Sequence, residues 1–184
     1  MAYDLNRFVN LTILLSAQVD ANKLFEVILR EAMFIGGCDA GTIYSVEKDG
    51  LHFQHVITKS QKVAIGPGTG VETLEPVPWH RGYVCAYAVM NRERQNIPDV
   101  YKAQKFDFAG TMRYDSLNNY RTQSMLVIPM AVDSGDVVGV LQLINAQDEK
   151  GRTIPFTEEQ EHLVMALGSV AALYIENRKL KGLL

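Results

Sequence analysis

Two long apolar segments separated by four turn residues constrain this chain more than anything else in it. Gln123–Val132 and Val137–Asn145 are rich in Val, Ile, Leu and Met, and Asp133-Ser134-Gly135-Asp136 between them carries the residue types that turn a hairpin. Neither arm alternates cleanly between apolar and polar residues. Such a pair belongs at the centre of a sheet covered on both faces. A second hairpin is signalled upstream. Ala40–Val46 alternates through Thr42, Ile43 and Tyr44, Lys48-Asp49-Gly50 turns the chain, and Leu51–Thr58 returns.

The covering helices are legible to different degrees. Asp4–Gln18 sets Leu5, Phe8, Val9, Thr12, Ile13 and Leu15 close to helical spacing, with Asp4 as cap. Asp20 caps a second helix through Leu24, Val27, Ile28 and Ala32, which Gly36-Gly37 ends. Leu74–Val77 predicts a short edge strand, because Pro76 and Pro78 exclude a central one. Gly82–Asn91 predicts a short helix with Val84, Ala88 and Val89 inward. A brief strand at Gln95-Asn96-Ile97 and a helical turn or two over Asp99–Lys105 follow, with Pro98 at the start. Phe106–Asn119 is polar, contains glycine and has no period, so it reads as a loop. The last helix begins near Thr157, with Glu158, Glu159 and Glu161 in its first turn complementing the helix dipole. Ala166, Val170, Leu173, Asn177, Leu180 and Leu184 then repeat at the spacing of a coiled-coil seam. The expected fold is α+β, an antiparallel sheet with helices on both faces and long helices at both chain ends. Its expected division is an N-terminal helix (1–19), a core (20–162) and a C-terminal helix (163–184).

Bulk properties narrow the function. The chain has 184 residues, a net charge of −3 and a pI near 5.8, with no basic stripe of the kind that tracks nucleic acid. No apolar run approaches the length of a membrane span, and Met1–Asn10 lacks a signal-peptide pattern. Its two cysteines, Cys38 and Cys85, form no CxxC, which argues against a disulfide framework or zinc site and for a cytoplasmic setting. Ile65–Gly70 is glycine-rich but lacks the Lys-Ser/Thr of a phosphate-binding P-loop, so it reads as a flexible loop.

Asn96–Asp99, Tyr120–Met130 and Val138–Asn145 resemble the GAF domain, in the branch found in cyclic-nucleotide phosphodiesterases and cyanobacterial-type adenylyl cyclases. The resemblance runs from about Asp20 to Leu180. It includes a downstream signature that falls here on Asn145, Ala146, Phe156, Gln160 and Glu161. The Lys and Asp that relatives pair within that signature are both replaced, by Ala146 and Gln160, so neither charge is left alone.

The resemblance implies a non-enzymatic sensor that binds a cyclic nucleotide and requires no cofactor. Its phosphate would sit on the backbone N–H groups of Tyr83 and Val84, helped by the lid near Phe106–Ala109, Phe108 among them. Thr111 would either bond the phosphate or cap a turn. Asp115, Asn118 and Thr122 match lid positions that meet the ribose, and Gln142 matches the reader of the base edge. An amide both donates and accepts, which suits adenine, whereas a carboxylate there suits the donors of guanine. cAMP is therefore expected over cGMP. Ile57 and Thr58 match the region that stacks on or bonds the base, and Thr42 is a further candidate.

Partners implied are a second copy, through the terminal helices, and a covalently linked cyclase- or phosphodiesterase-type output domain. The competing expectation is a ligand-free dimerisation module, with Phe106, Phe108 and Tyr114 filling the space under the lid. Thiol catalysis is not expected, because the lid contains no cysteine. Cys85 precedes Ala86 rather than the histidine usual for bilin attachment. A haem would have only His52, His55, His80 or His162 to ligate it.

Overall fold

The computed structural model describes residues 20–182 together with Val9 and Ile13. The helix expected over Asp4–Gln18 and the seam position Leu184 lie outside the described residues, apart from Val9 and Ile13 themselves.

Among the described residues, eight strands form one antiparallel sheet. They are β1 (Cys38–Val46), β2 (Gly50–Thr58), β3 (Val63–Ile65), β4 (Val77–Pro78), β5 (Gln95–Ile97), β6 (Met125–Ala131), β7 (Val137–Gln147) and β8 (Thr153–Ile154). The order across the sheet is β3-β2-β1-β7-β6-β5, with β4 on the end of β2 and β8 on the end of β7. The two hairpins read from sequence are β1–β2 and β6–β7, and they meet at the centre, where Thr42 pairs with Gln142 and Ile43 with Leu141. The edge strand expected over Leu74–Val77 is reduced to the two residues of β4, paired with Gly50 and Leu51.

Among the residues described from 20 onward, the α-helices are α1 (Ala21–Ile35), α2 (Val84–Asn91), α3 (Ala109–Asn118) and α4 (Glu158–Leu180). Helix α1 starts just after Asp20, whose carbonyl accepts the Leu24 N–H. It stops where Gly37 takes the left-handed φ of 54° that glycine adopts without a steric cost. Helix α4 opens on a capping box. Thr157 Oγ1 accepts the Gln160 N–H at 3.2 Å, and Gln160 Oε1 accepts the Thr157 N–H at 2.8 Å. Gln160 Nε2 also donates to the Gly36 carbonyl at 3.0 Å, tying the start of α4 to the end of α1. The residue that replaces the signature acid therefore works as a cap and a clamp.

The sheet is covered on both faces, as the apolar hairpin requires. On one face, Leu24, Ile28 and Leu29 of α1 and Val164, Leu167 and Ala171 of α4 pack on Ile43, Leu141 and Leu143. Each buried Val, Leu or Ile side chain among these contributes about 1.5–3 kcal/mol against an exposed reference. On the other face, Val84, Cys85 and Ala88 of α2 join Tyr44, Leu51, Val127 and Val140, with Phe106 and Phe108 beside them.

Two local expectations change. Asp99–Lys105 contains turns and no helix. Phe106–Asn119, expected as a loop, holds the ten-residue α3. Its apolar residues Met112, Tyr114 and Leu117 are exposed, and its one buried residue is Asp115. No apolar periodicity exists for sequence reading to find. The helix is held by a carboxylate instead of a greasy stripe.

Candidate functional site

A cavity of about 620 Å³ opens between the second face of the sheet and α3. Its floor is laid by β1, β2 and β7, which alternate their side chains between the two faces. Thr42 and Tyr44 come from β1, Phe53 and Thr58 from β2, and Gln142 from β7, while Ile57 borders the space beside Thr58 with its side chain packed in the α1–α4 layer. The segment Leu74–Pro78 forms one wall, and the starts of α2 and α3 form the other end. Its volume lies within the range of small-molecule sites.

Nine of the eleven residues predicted for a ligand line or border this space: Thr42, Ile57, Thr58, Tyr83, Val84, Phe108, Thr111, Thr122 and Gln142. Asp115 does not. It is buried behind the wall, where Oδ2 accepts from Tyr101 Oη and the Thr122 N–H, both at 2.8 Å, and Oδ1 accepts from Thr122 Oγ1 at 2.9 Å. Its lone pairs are spent on pinning α3, not offered to a ribose. The hydrogen bond that Tyr101 donates to Asp115 raises the pKa of its phenol, and Arg121 stacks on that ring at 3.9 Å. Asn118 is exposed at the far end of α3 and donates to the Tyr114 carbonyl, so it too lies off the cavity.

Two helix N-termini converge on one end of the cavity. Helix α2 starts at Val84 after Tyr83 and α3 at Ala109 after Phe108, and neither flanking residue supplies a side-chain cap. The amide of Tyr83 is already committed to the His80 carbonyl at 3.0 Å, which moves the expected anion seat one residue on, to the amides of Val84 and Cys85. The two starts are coupled, because the Asp107 N–H donates to the Gly82 carbonyl at 2.8 Å. Asp107 Oδ1 accepts the Ala109 N–H at 2.9 Å, so α3 offers an anion less than α2 does. No lysine or arginine is among the lining residues. An anion here would be met by backbone N–H groups.

Gln142 sits half-buried at the centre of the floor, between Thr42 and Val127 on the neighbouring strands. Tyr44 Oη donates to Gln142 Oε1 at 2.8 Å, and Gln142 Nε2 donates to Met125 Sδ at 3.4 Å. Burial pushes the pKa of Tyr44 well up, with Cys85 adding to the rise and Thr42 opposing it, so the phenol keeps its proton. Sequence reading missed Tyr44, although it stands two positions from Thr42 on the same strand and so on the same face. Leu141 and Leu143 point the other way, into the α1–α4 layer.

A second polar cluster closes the lid's far end. Tyr120, also on the cavity wall, donates to Asp39 Oδ2 at 2.8 Å, and Ser60 donates its N–H and hydroxyl to the same carboxylate. Asn145, in a left-handed conformation with φ 60°, accepts the Gln123 N–H and donates to Tyr120 Oη and the Arg121 carbonyl. The first signature residue thus fastens the chain that leaves α3. Glu161, the last, accepts from Arg94 and from Asn96 Nδ2; Phe156 is core, and Ala146 is fully buried.

The cysteines carry no exposed thiol. Burial pushes both up to about 12, far from the range of a reactive thiolate. Among the described residues no group of three His, Cys, Asp or Glu could hold a metal ion, and no helix is long and apolar enough to cross a membrane.

Comparison with known proteins agrees with this architecture. The GAF domain model matches residues 20–175. A dual 3',5'-cyclic-AMP and -GMP phosphodiesterase 11 of Drosophila melanogaster is 30% identical over 138 residues, covering 70% of this chain and 9% of the relative. Phosphodiesterase 11A of Takifugu rubripes, a dual enzyme by the same description, is 32% identical over 104 residues, covering 56% of this chain and 11% of the relative. The chain thus spans about a tenth of the length of these curated relatives. In fold, it is similar to the GAF domain of a phosphoenolpyruvate-protein phosphotransferase from Coxiella burnetii, with a TM-score of 0.73, 14% identity, and coverage of 98% of this chain and 96% of that one. A sheet flanked by helices on both faces, a roofed cavity on one of them and a family match over most of its length place this chain in the GAF domain family.

Proposed function

We propose that this domain is a regulatory sensor that binds a cyclic nucleotide in the cavity under α3, prefers cAMP to cGMP, and signals through α4 to a linked output domain. The observation that carries the reading is the open space itself, with the uncapped start of α2 at one end and the Gln142 amide on its floor. Phe106 packs edge-on against Tyr87 at 5.1 Å and does not line the cavity, while Phe108 and Tyr114 line it and leave about 620 Å³ open. The phosphate would take the Val84 and Cys85 amides, and the sugar and base would extend over the sheet towards Gln142.

Gln142 supports adenine by its remaining valences. Beyond its contacts with Tyr44 and Met125, Oε1 keeps a lone pair and Nε2 a hydrogen. Those suit the amino group and ring nitrogen of adenine's pairing edge. Guanine's N1–H and amino group would present two donors to a single lone pair. The relatives in dual cyclic-AMP and -GMP phosphodiesterases agree with this ligand class and with an enzymatic output domain.

The second half of α4 supports the route out. Val164, Leu167, Ala171 and Ile175 face the sheet, while Leu173 and Leu180 of the seam stay 51% and 82% exposed. That leaves an apolar edge for a parallel partner. The same edge would serve a ligand-free dimerisation module, the second reading.

Isothermal titration of the domain with cAMP and, separately, cGMP tests the proposal. Tighter binding of cAMP is expected, and Gln142→Glu should shift preference towards cGMP by about tenfold or more. An unchanged ratio in that variant would remove Gln142 from base recognition. Silence from both nucleotides in a folded dimer would leave the dimerisation module.

A further inference from the structure

We propose that Tyr44 sets the purine preference of the cavity by fixing which end of the Gln142 amide faces which way. The inference rests on the reading of the cavity as a cyclic-nucleotide site. An unrestrained glutamine can rotate its amide by half a turn. It would then donate where it accepted and accept where it donated, meeting adenine in one pose and guanine's O6 and N1–H in the other. A glutamine discriminates between purines only if something holds it.

Tyr44 is placed to hold it. The phenol is 4% exposed, on β1 two residues from Thr42, which pairs directly with Gln142. Its proton goes to Gln142 Oε1 at 2.8 Å. Turning the amide would set Nε2 against the phenol oxygen, which can accept from it, but the buried phenol proton would lose Oε1 as its acceptor. The ring is itself held, packed at 4.7 Å against Phe53, another floor residue. On the other side of the amide Met125 Sδ lies 3.4 Å from Nε2, and a thioether accepts but cannot donate. Both neighbours thus select one orientation: a donor beside the oxygen and an acceptor beside the nitrogen. Tyr44 is a positioning residue, since it acts through Gln142 and supplies no base contact of its own.

Tyr44→Phe removes the hydroxyl and keeps the ring. Titration of wild type and variant with cAMP and cGMP should show the preference for cAMP falling about tenfold, chiefly through tighter cGMP binding. In the nucleotide-free domain, the side-chain amide signals of Gln142 in a proton–nitrogen correlation spectrum should move and broaden. Gln142→Ala, with Tyr44 intact, should abolish the preference, and adding Tyr44→Phe to it should change the ratio no further. This pair keeps the test available if Tyr44→Phe alone folds poorly. Equal loss of both affinities in Tyr44→Phe, with the ratio intact, overturns the inference alone. Failure of the wild-type domain to bind either nucleotide overturns it together with the sensor reading.

Discussion

Replacing Asp115 by alanine should open the lid helix while leaving the sheet folded. The carboxylate is 3% exposed and accepts three hydrogen bonds, from Tyr101 Oη, the Thr122 N–H and Thr122 Oγ1. It is also the one buried residue of α3, so little other burial resists the helix lifting. Bonds to a charged group contribute roughly 1.5–3 kcal/mol each, and the variant also leaves the buried Thr122 N–H unpaired. Against this stands the cost of burying the carboxylate, which the variant no longer bears. A net loss of about 3 kcal/mol follows, equivalent to about a hundredfold rise in the open population. Native-state hydrogen exchange separates the outcomes. Amides of residues 112–118 should exchange about a hundredfold faster, with those of Val140–Leu143 unchanged. Equal acceleration in β7 would mean that Asp115 supports the whole domain. No acceleration in α3 would mean that the carboxylate does not hold the lid.

Other consequences are as open to measurement. With both thiols pushed up to about 12, only about one in ten thousand is ionised at pH 8, so a disulfide reagent should label the native protein far more slowly than the unfolded chain. Partial burial would raise the pKa of Glu161, but Arg94 and Asn96 outweigh it and hold the carboxyl below its ordinary range. A lowered pKa adds stability above the unfolded value and loses it as pH falls through the folded one. The penalty of Arg94→Ala, read from urea midpoints, should therefore be present at pH 7 and fade below about pH 4.3. At Gly139 an added Cβ would lie 2.7 Å from the Tyr44 carbonyl oxygen, a backbone atom that cannot swing aside. Gly139→Ala should cost about 1–3 kcal/mol, visible as a thermal midpoint lower by about 5 °C.

The elements whose burial is apolar were legible before the structure. Both hairpins, α1, α2 and the Thr157 start of α4 announce themselves through runs of Val, Ile and Leu, turn residues and caps. Helix α3 did not, because its fixed point is Asp115 and its apolar residues face solvent, an arrangement that periodicity counts as a loop. The cavity lining was legible where the family resemblance carried a position over, as at Thr42 and Gln142. Tyr44 escaped because its bond to Gln142 depends on β1 lying beside β7, a pairing between segments almost a hundred positions apart. The seat expected at Tyr83 shifted for a local reason, a turn hydrogen bond to His80 that consumes its N–H. Asp115 was expected at a ribose because the resemblance matches it to a lid position and its residue type suits a hydroxyl. Only the meeting of Tyr101 and Thr122 around it shows otherwise.

Strand β7 is a wall shared by two rooms. Val140, Gln142 and Ile144 look into one, and Leu141 and Leu143 into the other. This gives the chain sharply unequal tolerance to insertion and deletion. One residue added within Val138–Ile144 would exchange the two sets, turning leucines into the cavity and the amide into the helix layer. The same addition among the exposed turns at Lys102–Lys105 displaces no paired strand. Variation in length should therefore gather in the approach to the lid, where it reshapes the roof over a ligand, while β7 changes only by substitution.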